Sequence, residues 1–174
     1  QRIHQMSMTP LMKLVCGNLS IENIQMALKY VKKEDIDIWN DNDESALYIT
    51  VNKYYNFVVY MNYPDDVEQC KNVIIELLKH GANPSRDFCS KSSIRLIIEY
   101  NMFDLLKTFI EHCGHDISFE AVHYSILVGN YDFIEFLIDR VDINQVDENG
   151  KTLLEYAVII GAGDDIVELL RMWG

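Results

Sequence analysis

Basic residues are scarce in this chain. Its 174 residues set 15 Lys and Arg against 27 Asp and Glu, for a formal charge of -12 and a pI of about 4.7. Nucleic-acid backbones are held by clustered cations, so the balance argues against a nucleic-acid partner and against an anionic membrane surface. No apolar run reaches the roughly 20 residues that span a bilayer, and no signal peptide is visible. Cys16, Cys70, Cys89 and Cys113 are spread without a close pair, which does not suit a disulfide framework. Reduced thiols in an intracellular, cytoplasmic or nuclear setting are expected.

Catalytic signatures are missing too. There is no G-x-S-x-G, no P-loop and no Ser-His-Asp order. Gly161-Ala162-Gly163 follows a helical pattern rather than a strand and has no Lys behind it. His112-Cys113-Gly114-His115 carries metal-ligand types, but a structural zinc site needs four ligands, and the second pair is lacking. No catalytic residue, metal or cofactor is expected.

What is present is a returning pattern. A polar turn opens into a short amphipathic helix, a tight turn follows, and a second helix ends near Gly or Asn. Its clearest copy is Val141 to Leu154, where Asp142-Ile143-Asn144 enters, Asp147-Glu148-Asn149-Gly150 turns and Thr152-Leu153-Leu154 begins a helix. Thr9, with Pro10 at the first helical position, caps an earlier helix. Helix starts fall near residues 9, 45, 92, 120 and 152, a spacing near 33 with two helices per unit. The second unit is the longest, because an aromatic run from Tyr54 to Tyr63 precedes Pro64. Leu11, Leu47, Ile94, Val122 and Leu154 are expected between units, with Ile74 and Leu78, Leu106 and Ile110, and Ile134 and Leu137 on the second helices.

These residues resemble the ankyrin-repeat family from about Met8 onward. The T-P-L motif stands intact at Thr9-Pro10-Leu11 and recurs in degraded form at Ser45-Ala46-Leu47, Ser92-Ser93-Ile94 and Thr152-Leu153-Leu154. The unit ending is His80-Gly81-Ala82-Asn83, and the hairpin approach is Asp142-Ile143-Asn144. The resemblance implies an all-α solenoid of about five helix-turn-helix units joined by projecting β-hairpin loops. The unit boundaries are about 8–44, 45–91, 92–119, 120–151 and 152–174, after a disordered or tag-adjacent lead-in at 1–7. The irregular repeats are similar in style to divergent viral, poxvirus-like or pathogen ankyrin proteins, which would place the chain in a host-cell cytoplasm. His80 and His123 stand where the family often has a His that hydrogen-bonds hairpins and loops.

The implied function is non-catalytic protein binding through the hairpin tips and the concave inner-helix face. Trp39 aligns with Gln145 of the last unit and is expected as an exposed aromatic on a hairpin arm. Asn40, Asp41 and Asp43 beside it form an acidic tip suited to a partner with a basic surface. Arg86 and Phe88 form a second tip, Asp147 and Glu148 the last. Tyr54, Tyr55, Phe57 and Tyr60 either fold back on a longer helix or present an aromatic site. Asn144 lies in a context that resembles asparaginyl hydroxylation sites in ankyrin hairpins. Two roles follow from the resemblance: a modulator of host signalling, or the N-terminal substrate-recruiting part of a larger adaptor that brings host proteins to ubiquitin machinery. Apolar residues near Trp173 are expected either to be covered by further chain or to pair with another copy.

Overall fold

The computed structural model describes residues 8–85 and 91–174, which form ten α-helices arranged as five successive helix pairs. Their ranges are α1 Pro10–Cys16 with α2 Ile21–Leu28, α3 Ala46–Asn56 with α4 Pro64–Lys79, α5 Ser93–Glu99 with α6 Phe103–His112, α7 Ser118–Val128 with α8 Tyr131–Leu137, and α9 Leu153–Ile160 with α10 Asp164–Trp173. The inner helices α1, α3, α5, α7 and α9 pack in succession, and each outer helix closes over its own inner one. No unit buries its apolar face alone, so one continuous core runs through the stack.

Helix starts follow the Ser/Thr signal. Thr9, Ser45, Ser92 and Thr152 each accept an N–H from three residues on, and Thr152 with Glu155 closes a full capping box. The fourth pair departs: Ile117 stands at the cap, and α7 begins at Ser118, two residues ahead of the expected start. Asp116 substitutes by accepting the Ser118 N–H at 2.8 Å.

Four of the five turns inside the pairs share a second device. Asn62, Asn101, Gly129 and Gly161 all take left-handed backbone conformations, with φ of 49°, 54°, 74° and 70°. In the last three pairs the N–H beyond that residue reaches back five residues, as in Met102 to Ile97 and Ala162 to Ala157. Asn101 therefore does what glycine does elsewhere in the series. Asparagine tolerates that conformation better than most side chains.

The extra length of the second pair lies in three places. α3 continues through Tyr54 and Tyr55 to Asn56, Phe57–Met61 forms a π-helical turn, and α4 runs for 16 residues. The turn closes where the Asn62 N–H donates to the Phe57 carbonyl five residues back, at 2.8 Å. Lys53 ties this pair to the first by donating to the carbonyls of Val15, Cys16 and Gly17 at 2.7–3.1 Å, which caps the end of α1.

Leu11, Leu47, Ile94 and Val122 are buried as expected. Leu154 and Ile110 are only partly buried. At the inner-helix position where Ile126 is buried under the fifth pair, α9 presents Val158, which is 57% exposed.

Candidate functional site

Two hairpins share one geometry. Trp39 bridges Ser45, and Val146 bridges Thr152, both antiparallel. The Asn40 N–H donates to Glu44 O at 3.0 Å, and the Asp147 N–H to Lys151 O at 2.8 Å. Inside each turn one side-chain oxygen gathers two backbone donors. Asn40 Oδ1 takes the N–H groups of Asn42 and Glu44 at 2.9 and 3.1 Å, and Asp147 Oδ1 those of Asn149 and Lys151 at 2.8 and 3.0 Å. Asp43 and Gly150 supply the left-handed residue, with φ of 61° and 71°.

This register corrects the sequence alignment by one position. Trp39 matches Val146, not Gln145, because the Ser45 and Thr152 caps and the Asn40 and Asp147 side chains fix the count. Trp39 is 38% exposed. Asn40 does not face outward: it is 3% exposed, and its amide also donates to Glu44 Oε2 at 3.1 Å and to Met8 Sδ at 3.7 Å. It builds the turn rather than offering itself to a partner. Asp41 is exposed and Asp43 half-buried. Arg86 and Phe88 lie outside the described residues.

The last hairpin and the inner helices α5, α7 and α9 together line a groove of about 510 Å³. Its floor is aromatic. The His123 and Tyr156 rings stack with centroids 3.8 Å apart and planes 15° from parallel, and Phe119 lies 6.2 Å from His123. The Arg95 guanidinium sits 4.8 Å from the Tyr124 ring centre, and Tyr124 Oη donates to Glu99 at 2.8 Å. His123 Nε2 meets Asp147 Oδ2 at 3.1 Å, which ties the hairpin to α7. That is the hairpin hydrogen bond expected of His123.

Carboxylates outnumber cations in this groove: Asp116, Glu120, Asp147 and Glu148 line it against Arg95 alone. The Lys151 backbone N–H, with help from His123 and the Asn149 N–H, holds the Asp147 carboxyl below its ordinary value. The Ser118 N–H does the same for Asp116. Burial, and then the Asp147 charge, pushes the Tyr156 hydroxyl up.

Of the residues expected at the site, Asp147 and Glu148 line this groove. Trp39, Asp41 and Asp43 belong to the first hairpin instead. Tyr54 and Phe57 fold back against the core, while Tyr55 and Tyr60 form an edge-to-face pair at 6.2 Å outside it. Asn144 is exposed, and its N–H donates to Asp142 Oδ1 at 2.9 Å. Arg95, Phe119, Tyr124 and Tyr156 were not singled out from the sequence. Register would have found them, since Arg95 and His123 hold one position of successive inner helices and Tyr124 and Tyr156 the next.

At the unit ending, Cys113 Sγ lies 3.5 Å from His115 Nδ1. Among the described residues, no three His, Cys, Asp or Glu side chains converge as metal ligands, and no helix is long and apolar enough to cross a membrane.

No curated protein matches the chain. Residues 94–174, which hold most of the groove lining and all but the first residue of α5 to α10, match the family model described as ankyrin repeats (3 copies), so the last three helix pairs of this all-α repeat solenoid are ankyrin repeats.

Proposed function

We propose that the chain is a protein-binding module whose groove between the last hairpin and α5, α7 and α9 takes a basic segment of a partner protein. Ankyrin repeats are generally protein–protein interaction modules. The observation that carries the finer reading is the groove itself: a stacked aromatic floor under a rim with four carboxylates. Aromatic anchors give such interfaces their energy, and complementary charge speeds and selects the encounter. The first hairpin, with Trp39 and Asp41 exposed, is a separate acidic and aromatic element outside the groove.

Selection of a displayed random peptide library on the full chain tests this. Basic residues should be enriched among the selected peptides. Tyr156→Ala and Glu148→Lys should each weaken their binding about tenfold, which is the cost of one good hot-spot contact. Peptides that are acidic or neutral, or that bind both variants unchanged, would place the partner site elsewhere.

We propose, from the resemblance of the irregular repeats to divergent ankyrin proteins alone, that the module acts as a host-directed modulator or as the recruiting part of a ubiquitin adaptor. Capture from a cultured-cell lysate, with Tyr156→Ala as control, separates the two. Ubiquitin-ligase components lost by that variant would favour the adaptor.

A further inference from the structure

The inserted length of the second pair builds a pocket of its own. It holds about 270 Å³ between the end of α3, the π-helical turn and the start of α6. It shares no lining residue with the groove. Tyr54, Tyr55 and Tyr100 form much of its wall, and the Tyr55 and Tyr100 rings are 4.4 Å apart between centroids, held at a tilt. Val58 and Val59 complete the wall and are half exposed. A normal-length unit would have ended α3 at a tight turn before Tyr55, Val58 and Val59. The insertion therefore adds one wall of the pocket, and the turn and start of α6 in the third pair supply the other.

Its charge is one-sided. Asp104 lines the pocket, and neither Lys nor Arg does. Asp104 stands in the first turn of α6 and has no ion pair among the described residues. Behind burial, the Asp104 and Glu68 charges push the Tyr54 hydroxyl up, so two carboxylates act on this wall. The protein's own cations show what rings of this kind attract. Lys107 Nζ, from outside the lining, lies 5.0 Å from the ring centre of Phe103, which lines this pocket, and Arg140 lies 5.5 Å from that of Phe136.

We infer that this pocket is a second protein-docking site that takes a single arginine side chain from a short basic-and-apolar segment of a partner. The guanidinium plane stacks on the Tyr100 and Tyr55 wall and pairs with Asp104, and the flanking apolar residues cover Val58 and Val59. Arginine suits it better than lysine, because a planar, weakly hydrated cation can stack on a ring and fork onto a carboxylate together. The net charge of -12 draws such a segment in.

The probe is the peptide Gly-Leu-Arg-Leu-Gly, titrated into the isotope-labelled full chain and followed by amide chemical shifts. Saturable shifts are expected at Val58, Val59, Tyr100 and Asp104. Replacing the arginine by citrulline, which keeps the shape and removes the charge, should weaken binding about tenfold, and so should Asp104→Asn. Asp104 is exposed, so the variant keeps the fold. Tyr156→Ala, which damages only the groove, should leave the affinity unchanged. Equal binding of the citrulline peptide, full affinity in Asp104→Asn, absence of shifts around the pocket, or dependence on Tyr156 would each overturn the assignment.

Discussion

The first and last hairpins have the same skeleton and different contents. Both hang two backbone N–H groups on one side-chain oxygen, close with a left-handed residue and bridge the same pair of positions. Yet Asn40 is buried, while Asp147 sits at the edge of the groove with His123. Asp43 takes the conformation that Gly150 takes, and Trp39 stands where Val146 does. The skeleton is carried by an Asx oxygen and one left-handed residue, and the arm position is left free to vary. Function can differ between units without disturbing the fold because the two sets of residues are separate.

Breaking the skeleton should cost the most. Asn40→Ala removes a buried side chain and leaves the Asn42 and Glu44 N–H groups without their acceptor in a partly buried turn, and should lose about 2 kcal/mol in denaturant unfolding. Asp147→Ala should lose less, because water can replace the exposed bond to the Asn149 N–H although the Asp147 side chain itself is 8% exposed; equal losses would mean that burial does not separate the hairpins.

The left-handed residue comes next. Gly150→Ala should cost about 1 kcal/mol, since alanine at φ of 71° is strained. Asp43→Gly should change stability by no more than about 0.5 kcal/mol, because aspartate already tolerates that conformation. A strong gain from Asp43→Gly would show strain stored in the first hairpin.

Acid should distinguish the hairpins by chemistry. The folded Asp147 and Asp116 carboxyls lie below the ordinary aspartate value, chiefly because backbone N–H groups donate to them. Their contribution is present above the unfolded pKa and is lost as pH falls through the depressed folded values, below about 4. Asp147→Asn makes the last hairpin chemically like the first. It should keep the turn at neutral pH and lessen the fall in Tm between pH 5 and pH 3, and an unchanged acid limb would exclude Asp147 as a contributor.

Exchanging the arms should do least. Trp39→Val and Val146→Trp are each expected within about 0.5 kcal/mol of the parent in thermal unfolding, as for exposed surface positions. A larger loss from Trp39→Val would mean that the ring packs as part of the fold.

Much of this was legible in the residues. Thr9, Ser45, Ser92 and Thr152 announce four inner helices, because a short hydroxyl before an apolar run satisfies N–H groups that nothing else can reach. Gly129 and Gly161 mark two turns in the same way. Asn101 stands where those turns have Gly and keeps their left-handed geometry. The hairpin register differs by one residue from the sequence alignment because the Asx side chains and the Ser45 and Thr152 caps set it, while the arm residues Trp39 and Val146 share no chemistry that marks them as equivalent. The groove was half visible: Asp147 and Glu148 lie in a local motif. Arg95, Phe119, Tyr124 and Tyr156 come together only when consecutive units stack.

By itself the sequence determined the repeat, its helix pairs and its excess of negative charge, since caps, spacing and composition are local properties of the chain. Tertiary structure decided which residues share a surface. Stacking put the His123 ring on Tyr156 although 33 positions separate them, turned Asn40 inward, and set Tyr55 against Tyr100 beside Asp104. Contacts of that range depend on how one unit is laid upon the next, and no short stretch of sequence carries that information.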